Sequence, residues 1–367
     1  MIRKFLRIIG DVYSRKVYRM AQQRAIKEYF TNIPDSQLPE LTDKEIMLIS
    51  EKWGNIIPNP KAGFRIYRVF KKFKGFNADY VPDTFFYPYI IRSLNPTSEF
   101  YSLTHKGLID TIFSNIEKPK TIAKRIGDNL FDTDDSQNTI KGIAEILTNY
   151  PGRIIIKPAK GSNSGRGIRL LNPHEHNIKQ MEALLAEYGD FVAQEVVEQS
   201  EFTAKFNPSS LNTIRVATLF INNRLSKCFA LIKFGKAGSI VDNMAQGGIW
   251  VGIDEDGYLS ENGYNNRSEV FKSHGGIKFK GERIPDFQRI LDTAYKAHRK
   301  VATVGFVGWD IALKKNGTPL LIEANMWWPG ITWGQMCNGP AFGNRLDEVI
   351  AYVSHHPAKR LNIIPSI

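Results

Sequence analysis

The chain has 367 residues, 42% hydrophobic and 23% charged, with a formal net charge of +12. This composition suits a globular protein with a sizeable core and excludes disorder, collagen and coiled coil as the main architecture. The length suggests two or three domains, and the basic balance favours anionic partners: nucleotide phosphates, acidic sugars, lipid headgroups or nucleic acid.

Two cysteines, Cys228 and Cys337, lie far apart and match no metal spacing. No run approaches the ~18 apolar residues of a spanning helix, and no secretory signal is visible. A cytoplasmic protein is the expectation.

In chain order, residues 1 to 30 carry eight Lys or Arg against two acids. Ile2, Phe5, Leu6, Ile9, Tyr13, Val17 and Met20 recur at steps of three and four, which predicts a basic amphipathic helix. It either packs on the body or rests peripherally on the anionic inner face of the cell membrane. The run GFRIYRVFKKFKGF, 63–76, interleaves aromatics with basic residues. Such a run can stack single-stranded bases, but a half-buried element with snorkelling neighbours is favoured and nucleic acid is disfavoured. From about residue 105, short β-rich runs alternate with helical ones.

The strongest signal is IIIKPAKGSNSGRGI, 154–168. A buried strand ends at Lys157-Pro158 and enters a loop holding Gly161, Ser162, Ser164, Gly165 and Gly167. Backbone N–H groups at glycines, serine hydroxyls and a lysine charge suit phosphate oxygens. Neither the Walker nor the dinucleotide spacing is met.

The second signal is GFVGWDIALKKNGTPLLIEANMWWPG, 305–330. A two-residue turn at Asn316-Gly317 places Asp310 opposite Glu323, with Asn325 on the same face. A four-residue loop shifts the pairing but keeps that face. Adjacent carboxylates repel unless a cation lies between them, and Asp, Glu and Asn oxygens suit Mg2+. Between these signals, FVAQEVVEQ (191–199) reads as a strand, and SLNTIRVATLF (210–220) is a β run with one internal charge, Arg215. That charge needs a partner or an anionic ligand.

In this order, the pieces resemble the ATP-grasp superfamily. The Lys157 strand and its loop are similar to the family's phosphate-covering loop, FVAQEVV to its adenine hinge, and Asp310 with Glu323-Ala324-Asn325 to its magnesium ligands. HKGLIDTIFSNIEKPKTIA (105–123) resembles the upstream Asp-Lys helix start, with His105 where an acid is usual. LNTIRVATL, VDNMAQGGIWVGID and GERIPDF resemble the sugar-transfer-associated group, which is also similar to glutamate-ligase-like carboxylate–amine ligases.

The resemblance implies an α+β ATP-grasp fold: two α+β subdomains clasping ATP, after a mostly helical basic N-terminal region. It divides the chain into a basic helical segment (1–35), an N-terminal α/β region with part of the substrate site (36–105), the ATP-grasp domain (106–345), and a C-terminal helix and tail (346–367). It also implies roles. Lys106, Lys157, Gly161, Ser162, Ser164, Gly165, Gly167, Gln194, Glu195, Val197 and Glu198 would bind ATP, with Glu198 and Glu201 as alternatives for the ribose. Asp310, Glu323 and Asn325 would hold one or two Mg2+, or Mn2+. Arg215 would be catalytic, facing the transferred phosphoryl, while Asp242 and Asn243 with Gly247-Gly248 either shape the acceptor site or form a plain turn. The implied activity joins a carboxylate to an amine through an acyl phosphate, on an envelope or capsular glycan or its precursor. The alternatives are a kinase of the same fold, or a nucleotide-regulated membrane- or nucleic-acid-binding module.

Overall fold

The computed structural model describes residue 30 and residues 32–96, 102–160, 166–239 and 247–357. The N-terminal basic helix therefore lies outside the described residues apart from Phe30, as do Gly161, Ser162, Ser164, Gly165, Asp242 and Asn243.

The first part of the chain is helical. Helix α1 (Asp43–Trp53) opens with a capping box in which Thr42 and Glu45 satisfy each other's backbone N–H groups. The basic aromatic run forms α2 (Phe64–Lys74), which buries Ile66, Tyr67, Val69 and Phe70. Its basic residues tie down the preceding segment: Arg65 donates to the carbonyls of Phe30 and Ile33, and Lys71 pairs with Glu45 at 2.7 Å. The aromatics are core, as the snorkelling reading expects, and the buried rings are closed to base stacking. A further helical stretch covers residues 83 to 94. No strand precedes Thr121 among the described residues, so the 36–105 segment is helical where α/β structure was expected.

Two antiparallel sheets follow. The smaller comprises β1 (Thr121–Ile126), β2 (Asn129–Asp132), β3 (Gln137–Asn138), β4 (Ile154–Pro158), β5 (Arg169–Leu171) and β6 (Phe191–Glu195), in the order β3-β2-β1-β6-β4-β5. Helices α3 (Ile140–Thr148) and α4 (Ile178–Ala186) cover one face, burying Ala123, Ile154, Ile156, Phe191 and Ala193. Alternation puts Lys124, Lys157, Val192 and Gln194 on the other face. Register agrees, since Lys124 and Lys157 flank Val192 across β6.

The larger sheet contains β7 (Thr213–Ile221), β8 (Arg224–Phe234), β9 (Ile249–Ile253), β10 (Leu259–Tyr264) and β11 (Val270–Phe271), then, past the small hairpin β12 (Ser273–His274) and β13 (Ile277–Lys278), β14 (Phe306–Leu313) and β15 (Pro319–Asn325). Its order is β11-β10-β9-β8-β7-β14-β15. Helix α5 (Phe287–Lys300) packs on one face through Ile290, Leu291, Ala294 and Ala297. The other face takes the N-terminal helices together with α6 (Ile331–Asn338) and α7 (Leu346–His355), around Leu219, Phe229, Leu231 and Phe306. This second face is apolar at one end and polar at the other, where Arg215, Lys233 and Asp310 project.

One core residue predicts a pH effect. Asp83 is 3% exposed, and neither its Oδ1 nor the neighbouring Thr332 Oγ1 completes a hydrogen bond among the described residues. Burial pushes its carboxyl up to about 7, against the pull of Thr332. The native state thus holds this proton more tightly than the unfolded chain, and the associated stability is lost as pH rises from 3.8 through 7. Asp83→Asn is expected to raise stability at pH 8 by an amount of the order of a few kcal/mol, and the melting temperature with it. It should also narrow the difference between pH 5 and pH 8. An equal shift at both pH values would show that Asp83 is not the titrating group.

Candidate functional site

The β14–β15 hairpin places Asp310 opposite Glu323, as the sequence suggests, by a different route. Near the turn the pairing is Leu313 with Pro319, and Lys314 N–H reaches Thr318 O at 3.0 Å around Gly317, whose φ is +78°. The turn is therefore neither the two-residue nor the four-residue loop. Continued unbroken, its register would set Asp310 against Ile322. A bulge leaves Ile322 unpaired and restores the Asp310–Glu323 pair, with Asn325 opposite Gly308. Every residue of β14 is buried, so the hairpin is covered.

Cations surround these carboxylates. Arg215 lies directly opposite Asp310 across β7 and β14. Its Nε and Nη2 donate to the two carboxylate oxygens at 2.6 and 2.8 Å. Lys233 on β8 reaches Asp310 Oδ1 at 3.0 Å, and Asn325 Nδ2 donates to Oδ2 at 3.2 Å. Burial alone would push the Asp310 carboxyl up, but the adjacent Arg215 and Lys233 charges hold it well below the carboxylate range. The Arg215 guanidinium also donates to Pro329 O and lies beneath the Trp250 ring. Gly330, at φ +84°, passes so close that a Cβ there would sit 3.2 Å from Arg215 Nη1. Lys233 escaped the sequence reading. A tight turn at Asn222 and Asn223 would put it on the opposite face, and a bulge at Cys228 reverses that.

Two lysines come from the other side: Lys157 from β4 of the smaller sheet, and Lys106 from the short helical turn Lys106–Leu108. Lys106 pairs with Glu323 on β15 at 2.9 Å. Lys157 is 8% exposed. Burial pulls its ammonium down to about 8, with Glu323 and Asp110 pulling up and Lys106 pulling down. Gly167 closes the loop stem: a Cβ there would strike the Pro158 ring at 2.8 Å, and its carbonyl accepts from Tyr188. Gln194 is buried and donates to Thr121 Oγ1, and Glu195 accepts from Lys120 N–H through Oε1. Val197 is half-buried, and neither its N–H nor its C=O is engaged among the described residues, leaving a backbone edge at the end of β6. The Glu198 side chain is 80% exposed, 3.9 Å from Lys315.

Arg215, Lys233, Lys106, Lys157, Asp310, Glu323 and Asn325 thus gather at one place among the described residues. A model of one family, the sugar-transfer associated ATP-grasp, matches residues 88–351. The chain belongs to this family. Its fold is the ATP-grasp fold, with mixed helices and antiparallel sheets and a helical N-terminal region. Among solved structures, this ATP-grasp chain is similar to three ligases. The VanG D-Ala:D-Ser ligase from Enterococcus faecalis is 17% identical, with 68% of this chain and 61% of that chain covered, at a TM-score of 0.42. The L-amino acid ligase from Bacillus licheniformis is 12% identical, with 71% and 50% covered, at 0.42. The ATP-grasp ligase PsnB, complexed with minimal precursor, Mg and ADP, is 14% identical, with 69% and 60% covered, at 0.39. This chain therefore spans between half and two thirds of each neighbour's length. No curated protein matches it.

The residues fit a hard cation. The Glu323 and Asp310 carboxylates and the Asn325 carbonyl bring oxygen atoms to one face of a hairpin, and oxygen is the donor Mg2+ selects. Among the described residues no cluster of three His, Cys, Asp or Glu side chains gathers, so further ligands would come from phosphate and water. No helix among them is long and apolar enough to cross a membrane.

Proposed function

We propose that the chain is an ATP-dependent carboxylate–amine ligase working through an acyl phosphate. Its substrate would be an envelope or capsular glycan, or a precursor of one. The observation that carries this reading is the convergence on the Asp310–Glu323 pair of Arg215 and Lys233 from the larger sheet and Lys106 from the turn that precedes the smaller one. Such a concentration of positive charge suits a polyphosphate.

In this reading the adenine edge meets the free backbone at Val197, next to Gln194 and Glu195. Lys106 and Lys157 hold the α and β phosphates. Asp310, Glu323 and Asn325 would hold Mg2+, which would offset the charge of the phosphates. The substrate carboxylate attacks the γ phosphorus, and the bond to the leaving ADP oxygen breaks. Arg215 and Lys233 then lie beside the transferred phosphoryl, where their charge stabilises the acyl phosphate. An amine attacks the acyl carbon and inorganic phosphate leaves. The family description supports the glycan context, and acidic sugars provide the carboxylate.

Hydroxylamine trapping tests the chemistry. Incubation with ATP, Mg2+ and candidate uronic acids should yield hydroxamate together with ADP. ADP released with a phosphorylated alcohol and no hydroxamate would favour a kinase and contradict the ligase reading.

A further inference from the structure

His105 stands where the family's pattern has an acid, and its contacts show what replaces that acid. Its ring is 5% exposed and caps the short helical turn Lys106–Leu108. Nδ1 accepts from the backbone N–H of Gly107 at 3.1 Å. A backbone amide can only donate, so Nδ1 carries no proton and Nε2–H is the donor to Asp190 Oδ2 at 2.9 Å. Asp190 holds two other segments. Its Oδ1 accepts from Gly127 N–H at 2.8 Å, in the β1–β2 turn, and its Oδ2 pairs with Lys160 at 2.5 Å. Lys160 immediately precedes the 161–165 loop. Burial would push the Asp190 carboxyl up, but the hydrogen bonds from His105, Lys160 and Gly127 hold it down. Backbone bonds run in parallel: Ala159 N–H donates to Asp190 O at 2.8 Å, and Lys106 N–H donates to Ala159 O at 3.0 Å.

We infer that His105 and Asp190 are positioning residues for nucleotide binding: together they clamp the Lys106 turn against the chain leaving β4 at Ala159 and Lys160. This rests on the proposal that Lys106 and Lys157 receive the phosphates. The clamp fixes where the Lys106 side chain leaves the backbone, and its ammonium pairs with Glu323 at 2.9 Å. A carboxylate at position 105 could cap Gly107, but beside Asp190 it would add like charge. An imidazole caps with one nitrogen and donates with the other. His105 and Asp190 thus read as a matched exchange for the usual acid.

The test uses the full chain and measures Mg·ADP affinity, KM for ATP, kcat and melting temperature. His105→Ala removes the cap and the Asp190 donor. It should raise KM for ATP and Kd for Mg·ADP about tenfold, with kcat within a few-fold. His105→Asn can accept from Gly107 through Oδ1, but its shorter amide does not reach Asp190, so it should restore the cap and only part of the affinity. Should His105→Ala prove too unstable to assay, Asp190→Asn, which cannot accept the Lys160 and His105 donors as well, carries the same expected rise in KM. Lys106→Ala serves as the reference for loss of the phosphate contact itself. If Lys106→Ala weakens Mg·ADP binding while His105→Ala and Asp190→Asn bind as tightly as wild type, the clamp is overturned and the nucleotide site stands. If His105→Asn is as impaired as His105→Ala, the capping role is overturned. Failure of wild-type protein to bind Mg·ADP would overturn the nucleotide site, and the clamp with it.

Discussion

Asp310→Asn will lower Mg2+-dependent ATP turnover by at least ~100-fold, the scale seen when one preorganised charge contact is lost from an active site. It will also lower the melting temperature. The second effect follows from the ion cluster. Asp310 is buried, with Arg215 on both oxygens and Lys233 at 3.0 Å. An Asn keeps one acceptor and removes the negative charge that Arg215 and Lys233 face at a place 5–6% exposed for Asp310, Arg215 and Lys233. Breaking a buried pair in this way costs about 3–5 kcal/mol. The two consequences separate with a second substitution. Lys233→Met on the Asp310→Asn background removes one of the two facing cations and should recover part of the melting temperature without recovering turnover. Full turnover in Asp310→Asn would remove Asp310 from the metal site. An unchanged melting temperature would mean that solvent reaches the cluster and screens it.

Nucleotide binding near pH 8 will take up a proton, and Lys157 will be its destination. Burial sets the Lys157 ammonium at about 8, so roughly half of the free protein carries that proton at pH 8. Phosphate oxygens favour the charged form, so binding should draw about half a proton per nucleotide. Calorimetric titration with Mg·ADP in two buffers of unequal ionisation heat measures this directly. Lys157→Met should abolish the uptake and weaken affinity about 10- to 100-fold, the worth of one charge-assisted hydrogen bond. Without nucleotide, the native state binds fewer protons than the unfolded chain between pH 8 and 10.5, so wild-type stability should rise across that window and the Met variant's should not. Equal uptake by both proteins would place the proton elsewhere.

Much of the site was legible because its chemistry is written in strand spacing. Glu323 and Asn325 share a face by alternation, and a buried Lys157 ends an apolar strand whatever lies around it. The pairing of Asp310 with Glu323 was reached through the wrong turn, because the actual turn shifts the register by one and the bulge at Ile322 shifts it back. At β7–β8 the same kind of bulge, at Cys228, brings Lys233 to the face of Arg215. A bulge has no reliable local signature, since it answers to the packing of both faces at once, and so Lys233 was missed. Asp190 was missed for another reason. It is a lone acid 85 positions from His105, and only the closure of the smaller sheet brings its carboxylate to His105, Lys160 and Gly127. The basic aromatic run at 63–76 shows the converse. Its helical spacing of Ile66, Tyr67, Val69 and Phe70 was present, and the pull of the charges on reading it as a binding surface is answered by burial.

The central claim is that Asp310 and Glu323 trade their protein cations for a metal and a polyphosphate. Crystals grown with Mn2+ and ADP, with data collected for manganese anomalous scattering, test it most directly. The account predicts a manganese peak between the Asp310 and Glu323 carboxylates. It also predicts ADP phosphates beside Lys106 and Lys157, with Lys106 drawn away from Glu323. Nucleotide bound with its metal elsewhere, or a peak at the hairpin with Lys106 still on Glu323 and Lys233 still on Asp310, would contradict it.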